Sequence, residues 1–481
     1  MRLPLAASTA ALALAASPAL AQAPAAPDPH AGHHAPAAAP ATPQTSTQQP
    51  VETGAHADHA QPAEPADPHA GMDHSAHAGH DMSGHQMAGH DTGAMTGLYG
   101  SYPMTRDASG TAWQPDASRH GGVHAQRGDW MLMGHAALTA AYDWQEGPRG
   151  DEKAFVAGMI MGSARRDLAN GDTMNFRAML SPDPLMGKSG YPLLLASGET
   201  ADGVTPLVDR QHPHDLFMEL SASWTHRLSD TDSLFLYAGL PGEPAFGPPA
   251  FMHRMTVMDS PEAPISHHWL DSTHITFGVV TAGWVHENWK VEASAFKGRE
   301  PDEDRFDIEA PRLDSVAVRV SWNPTERWAL QASWADQKSP EALEPDDDQT
   351  KWSASAIYTA PFGDDGWWSA TGAWGRKQSH HGDQIDAFSL EAAVKPNAAW
   401  TLFSRAERIE TDELGFPIGA HGPVRTVAKL SLGAIRDWKV SEHVTFGLGG
   451  LWAFNRVPDA LAASYGDDPQ GGMMFVRLKV E

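Results

Sequence analysis

From Trp130 to the end of the chain, apolar and polar side chains alternate in segments of roughly ten residues. Trp289, Val291, Ala293 and Ala295 interleave with Lys290, Glu292 and Ser294. Val316, Val318, Val320 and Trp322 interleave with Ser315, Arg319 and Ser321, and Leu430, Leu432 and Ala434 with Lys429 and Ser431. Leu216, Met218, Leu220 and Trp224 form a further apolar row against Glu219 and Ser221. A period of two places successive side chains on opposite faces of a strand. Charges on one face and aliphatics on the other fit a wall with lipid outside and a polar lumen inside. Sixteen segments carry the pattern: 130–144, 153–165, 172–181, 214–227, 231–239, 272–284, 287–298, 313–323, 327–336, 350–360, 366–376, 384–395, 399–410, 424–438, 441–454 and 472–481.

The connections sharpen this reading. Short ones, such as 228–230, 323–326 and 396–398, alternate with long ones at 182–213, 240–271, 299–312, 337–349, 411–423 and 455–471. Short turns at one end and long loops at the other are the asymmetry of an outer-membrane barrel. All 17 tryptophans follow residue 112, and Trp284 with Trp289, and Trp322 with Trp328, flank short turns, where indoles favour a membrane interface. The fold class expected is all-β: a transmembrane antiparallel β-barrel of about 16 strands. A soluble sandwich with a tryptophan-rich core is the weaker alternative.

Upstream of the pattern the composition changes. Arg2, an Ala/Leu run and the small residues Ala19 and Ala21 read as a secretory signal peptide over 1–21. Residues 22–98 hold no Lys or Arg, and Ala, Pro, Gly, His and Asp dominate. Such a stretch buries too little apolar surface to offset its chain entropy and is expected to be disordered in the free state. Residues 99–129 form a linker or enter the lumen, and 130–481 form the barrel. With no cysteine, the chain holds its fold without disulfides. A net charge of −26 excludes a nucleic-acid partner, whose phosphates need clustered Lys and Arg, and makes cations the natural partners.

Two places carry candidate chemistry. Eleven of the 26 histidines lie in the 22–98 tail, joined by methionines. The run His69, Met72, His74, His77, His80, Met82, His85, Met87 and His90 mixes imidazole with soft thioether sulfur. That mixture points to copper ions, with zinc or nickel as alternatives, captured by a flexible chain. The bland alternative is a solubilising linker. The second place is a pair of long loops with apolar stretches at 191–195 and 244–251, which should pack into the barrel mouth. These loops would gather His212, His214, His253, His267, His268 and His274 with Asp215 and Asp271 as a metal site. Otherwise the same side chains merely fasten a plug. Ser266 beside His267 raises a hydrolase, but sequence neighbours rarely have nucleophile–base geometry, and no enzyme is expected. Inward charges such as Glu219, Lys290, Glu292, Arg319, Arg405, Glu407 and Lys429 read as lumen-lining ion pairs.

The layout, with Met72 to Met95 ahead of a barrel, resembles copper-resistance outer-membrane proteins of the B type. The motifs His212–Asp215 and Ile265–His274 look more like bacterial outer-membrane proteins that accompany metal-resistance systems. The resemblance implies copper tolerance at the outer membrane, with the tail in the periplasm and outer-membrane lipids and periplasmic metal-resistance proteins as partners. A general porin-like channel with an incidental metal-buffering tail is the competing expectation.

Overall fold

Alternation of polar and apolar side chains makes a strand stable only where its two faces meet different surroundings, and closing a sheet on itself supplies both. The computed structural model describes residues 95–119, 121–363, 365–380, 382–414 and 421–481, all within one compact unit. The strands are β1 (Val123–Arg127), β2 (Trp130–Gln145), β3 (Glu152–Asp167), β4 (Thr173–Leu180), β5 (Tyr191–Thr200), β6 (Pro206–Gln211) and β7 (Phe217–Arg227). They continue with β8 (Asp232–Gly239), β9 (Val279–His286), β10 (Trp289–Phe296), β11 (Ser315–Thr325), β12 (Trp328–Gln337) and β13 (Gln349–Phe362). The last are β14 (Gly366–Ser379), β15 (Gln384–Asn397), β16 (Trp400–Thr411), β17 (Arg425–Lys439), β18 (Val444–Arg456) and β19 (Gln470–Val480).

Strands β2, β3, β4 and β7 through β19 pair antiparallel with their successive neighbours. β19 then pairs back onto β2, from Gly471 opposite Gln145 to Val480 opposite Ala136. The result is a closed 16-stranded barrel, as the alternation foretold. β1 pairs with the start of β2, Val123 opposite Gly134, on the length of edge that β19 leaves open. Closure leaves no long exposed strand edge, so every spanning backbone group can be paired within the sheet.

The outer face is apolar. Val156, Ile160, Leu236, Val291, Leu402 and Leu432 are exposed at mid-wall. Trp284, Trp289, Trp328, Trp400 and Trp438 stand outward near the short turns, and Trp144, Trp334 and Trp452 lie near the long-loop end. Two aromatic girdles bracketing an aliphatic band match a membrane-spanning wall. Among the described residues no helix is long and apolar enough to cross a membrane.

Three boundaries and one orientation differ from the sequence reading. β9 starts at Val279 rather than 272, because 272–274 form a 3₁₀ turn. β7 starts at Phe217 rather than 214, so His214 and Asp215 stay in the loop. The loop read at 182–213 contains the β5–β6 hairpin, whose buried residues Leu193 to Leu195 have no polar alternation to reveal a strand. Met218, read as an outward residue, is fully buried: a register shift between β4 and β7 at Leu180 and Phe217 turns it inward.

The lumen is filled. Residues 96–118 run inside the barrel, with Tyr99, Tyr102 and Trp113 packed on Phe235 and Val285. Lys290 donates to the Thr111 carbonyl, the Thr111 hydroxyl donates to Glu292, and Arg177 donates to the Gly110 carbonyl at 3.0 Å. The 240–278 loop crosses the interior and is fastened around much of the wall. Ala245 N–H donates to Ser294 (2.7 Å) and Gly247 N–H to Ser333 (2.9 Å). Arg254 forks onto Glu391 of β15 (2.6 and 2.9 Å), Glu262 pairs with Arg405 (3.0 Å) and Lys429, and Asp259 pairs with Arg477. The inward charges read from the sequence are thus paired, and several of them bind the loop rather than line open water.

Candidate functional site

Two loops supply the site. The loop after β4 carries the β5–β6 hairpin, docked by Tyr191: its ring stacks on Phe155 of β3 at 4.4 Å, and its hydroxyl accepts from Ala263 N–H at 2.8 Å. The loop before β9 carries a single helical turn, α1 (His267–Leu270). It sits against β14 at Gly375, where an added Cβ would lie 2.4 Å from the Trp269 carbonyl oxygen.

This arrangement gathers five of the expected histidines. Ring centroids are 5.2 Å apart for His214–His274, 5.1 Å for His267–His274, 5.5 Å for His267–His268 and 6.1 Å for His212–His268. Phe251 lies between them, 5.8 Å from His267 and 6.2 Å from His214. Three of the rings have Nδ1 occupied: His214 by Asp183 (2.8 Å), His267 by the Asp271 carboxylate (2.8 Å) and His274 by the Asp271 carbonyl (2.7 Å). A carbonyl and an ionised carboxylate only accept, so these nitrogens carry the protons and Nε2 is left with its lone pair. The Nε2 atoms of His214 and His274 face each other at 3.2 Å. Two imidazoles on one tetrahedral ion would stand about 3.3 Å apart.

Burial, reinforced by neighbouring cationic and imidazole groups, holds His212 and His274 well below the usual histidine range, and burial also lowers His267 despite Asp271. Burial opposes the charge on His268 too, but Glu300, 3.6 Å away, outweighs it and raises that histidine. His212, His267 and His274 are therefore held towards neutral imidazole, the ligating form.

No protein-family model and no curated protein sequence matches this chain. Among solved structures it is similar to OmpF of Salmonella typhi in complex with daunomycin, at 10% identity over 74% of this chain and 100% of that one, TM-score 0.47. It is also similar to OprB of Pseudomonas putida at high pH (8%, 73% and 94%, TM-score 0.46) and to an anion-selective porin from Comamonas acidovorans (13%, 73% and 99%, TM-score 0.43). Likeness at this level is one of overall plan.

Other expected site residues fall elsewhere. Asp215 meets Arg305 at 3.3 Å, and Asp183 takes the orienting role on His214. His253 lines a separate cavity among methionines. Asp271 does orient His267, and also pairs with Arg254 at 2.9 Å. Ser266 donates to Glu407 at 2.7 Å rather than to its histidine neighbour, so the two do not form a nucleophile–base pair. The tail set His69, Met72, His74, His77, His80, Met82, His85, Met87 and His90 lies outside the described residues. Among the described residues, no group of three or more His, Cys, Asp or Glu side chains is placed to hold a metal ion.

Sequence reasoning missed Asp183, Glu199 and Glu300. Glu199 is 3.3 Å from His212 and pairs with Arg305. It also lines a cavity of about 740 Å³ shared with Glu341, Glu344, Asp347, Asp412 and Glu413. The carboxylate-rich vestibule therefore abuts the histidine cluster. The density of Asp and Glu in 337–349 and 411–413 was the available signal.

Proposed function

We propose that this chain is a porin-like barrel of the outer membrane whose lumen, narrowed by its own loops, accepts small cations and binds a borderline transition-metal ion at the histidine cluster. The carrying observation is the facing Nε2 pair of His214 and His274, each ring locked by an oxygen on its other nitrogen. That is the orientation metal-ligating histidines adopt when an outer partner fixes the tautomer. His267, oriented in the same way with its ring 5.1 Å from that of His274, would supply a third donor. The acidic vestibule supports cation entry, since clefts lined by one sign of charge concentrate counter-ions. In this reading copper, zinc or nickel is cargo. The tail residues His69 to His90 capture the same ions on the periplasmic side, from which they pass to or from periplasmic partners.

The test compares full-length protein with His214→Ala/His274→Ala, each equilibrated with Cu(II), Zn(II) or Ni(II), desalted, and assayed for bound metal. The variant should lose one ion per chain while keeping the tail's share. Equal metal on both would remove the histidine site and leave a general channel, which the polar, charged wall also favours. Conductance in planar bilayers then decides that reading: it requires steady ion current, and none would end it.

A further inference from the structure

A second cavity, of about 130 Å³, lies between the lumen segment, the 240–278 loop and the wall strands β2 to β4. Its wall contributes Met131 and Met133 from β2 and Met159 and Met161 from β3, all on inward positions of the period-two register. The loop adds Met252 and Met258, and Met104 comes from the lumen segment. His124, His135 and His253 stand among them.

Methionine is a common core filler, because its flexible thioether fits irregular gaps. Two observations speak against that role here. The eleven consecutive wall strands β8 to β18 contain no methionine, although their inward faces pack against the same loop. Moreover, 7 of the 21 lining residues are methionine in a chain with 19 methionines among 481 residues, where composition alone gives about one. The cationic side chains in the lining are engaged: Arg165 with Asp167 (3.0 Å), Arg177 with Glu219 (3.4 Å) and Lys479 with Glu481 (3.0 Å).

We infer that this chamber binds a soft monovalent metal cation, Cu(I) or its analogue Ag(I), through the thioether sulfurs of Met131, Met133, Met159, Met161, Met252 and Met258. Neutral sulfur donors select soft, low-charge ions over Zn(II) or Ni(II), so the chamber and the imidazole cluster sort ions by softness. Phe251 touches the histidine rings and Met252 lines the chamber, so one backbone segment joins the two sites. The inference stands whether or not the imidazole cluster holds metal.

The experiment is silver titration of the full-length protein in detergent, against Met131→Leu/Met133→Leu/Met159→Leu/Met161→Leu. Leucine keeps volume and apolarity. The native protein should hold one more tightly bound silver ion per chain than the variant, with Zn(II) binding the same in both. Equal silver would overturn the inference. If the fourfold variant does not fold, peroxide oxidation of the native protein with and without Ag(I), mapped by mass spectrometry, decides. Silver should protect Met133 and Met161 and leave the outward Met474 unprotected, and equal oxidation of the chamber methionines with and without silver would overturn the inference. Failure of the His214/His274 variant to lose Cu(II) would leave both readouts unaffected.

Discussion

Arg254 ties the 240–278 loop to the wall. It is buried, and its guanidinium donates twice to Glu391 on the wall, once to Asp271 (2.9 Å) and once to the Pro249 carbonyl (2.7 Å). Arg254→Met keeps much of the apolar stem but strands two buried carboxylates, Glu391 and Asp271. Removing one partner of a buried pair costs about 3–5 kcal/mol, because the remaining charge is left desolvated. The wall strands are held by their own backbone ladders, so that cost falls on docking of the loop. At about 1.4 kcal/mol per decade, the undocked population rises roughly 100- to 4000-fold. The assay pairs bilayer conductance with limited proteolysis of residues 240–278, while heat-modifiable gel migration checks that the barrel is intact. The variant should be cleaved within the loop and conduct more than the native protein. Arg254→Met/Glu391→Leu removes both charges and should recover most of the protection, since replacing a buried pair by apolar groups is often near neutral. A single variant as resistant as the native chain, or a double variant no better than the single, would refute the reasoning.

Three further outcomes follow from the geometry. Gly198 has φ +119°, and a Cβ there would lie 2.6 Å from His268 Cε1; Gly198→Ala should displace His268 and raise hydrogen exchange across β5 and β6, and unchanged exchange would contradict this. Tyr99 is buried, donates to the Gly110 carbonyl (3.0 Å) and packs on Phe235 at 4.6 Å. Tyr99→Ala should therefore cost the lumen segment about 3–5 kcal/mol and make the Arg106 bond cleavable by trypsin, whereas continued resistance would show that other contacts suffice. Partial burial opposes the charge on His421, but Glu344 and Asp412 (2.6 Å) outweigh it and raise its pKa from 6.5 to about 9. A raised folded pKa gives stability that is complete below about pH 6.5 and lost as pH climbs through 9, so the loop cross-link should loosen in alkali. Proteolysis of the 341–348 and 411–414 segments should rise from pH 6 to pH 10, and His421→Ala should flatten that profile.

The wall was legible because each of its strands separates two environments, and that contrast is written directly into the period of two. Lys290, Glu292 and Arg319 face inward where the alternation puts them. β5 escaped for the same reason in reverse: Leu193 to Leu195 are buried on both faces, so no alternation marks them. The histidine loops betrayed themselves as apolar segments that water would not tolerate. Their partners Asp183 and Glu300 did not: Asp183 lies 31 residues before the His214 it orients, and Glu300 comes from a different loop. The methionine chamber had a visible signal: Met131 with Met133 and Met159 with Met161 stand two apart on inward registers. It is hidden from a search of inward faces for charge alone.

The chemistry of the plug bears on whether it can move. Three charges the loop carries inward meet their opposites on the wall: Arg254 with Glu391, Glu262 with Arg405 and Lys429, and Asp259 with Arg477; a fourth, Asp271, pairs within the loop with Arg254. Matched buried pairs roughly break even against the cost of desolvating them, so they set register more than they add stability. A loop held by apolar packing alone would have no preferred register, and one held by backbone pairing would not release. Here the ion pairs add a register to a loop that also buries Phe251, Val257, Ile265, Trp269 and Leu270 in the core. Water entering the lumen restores solvation to both partners at once, so each undocking event is partly compensated where it occurs.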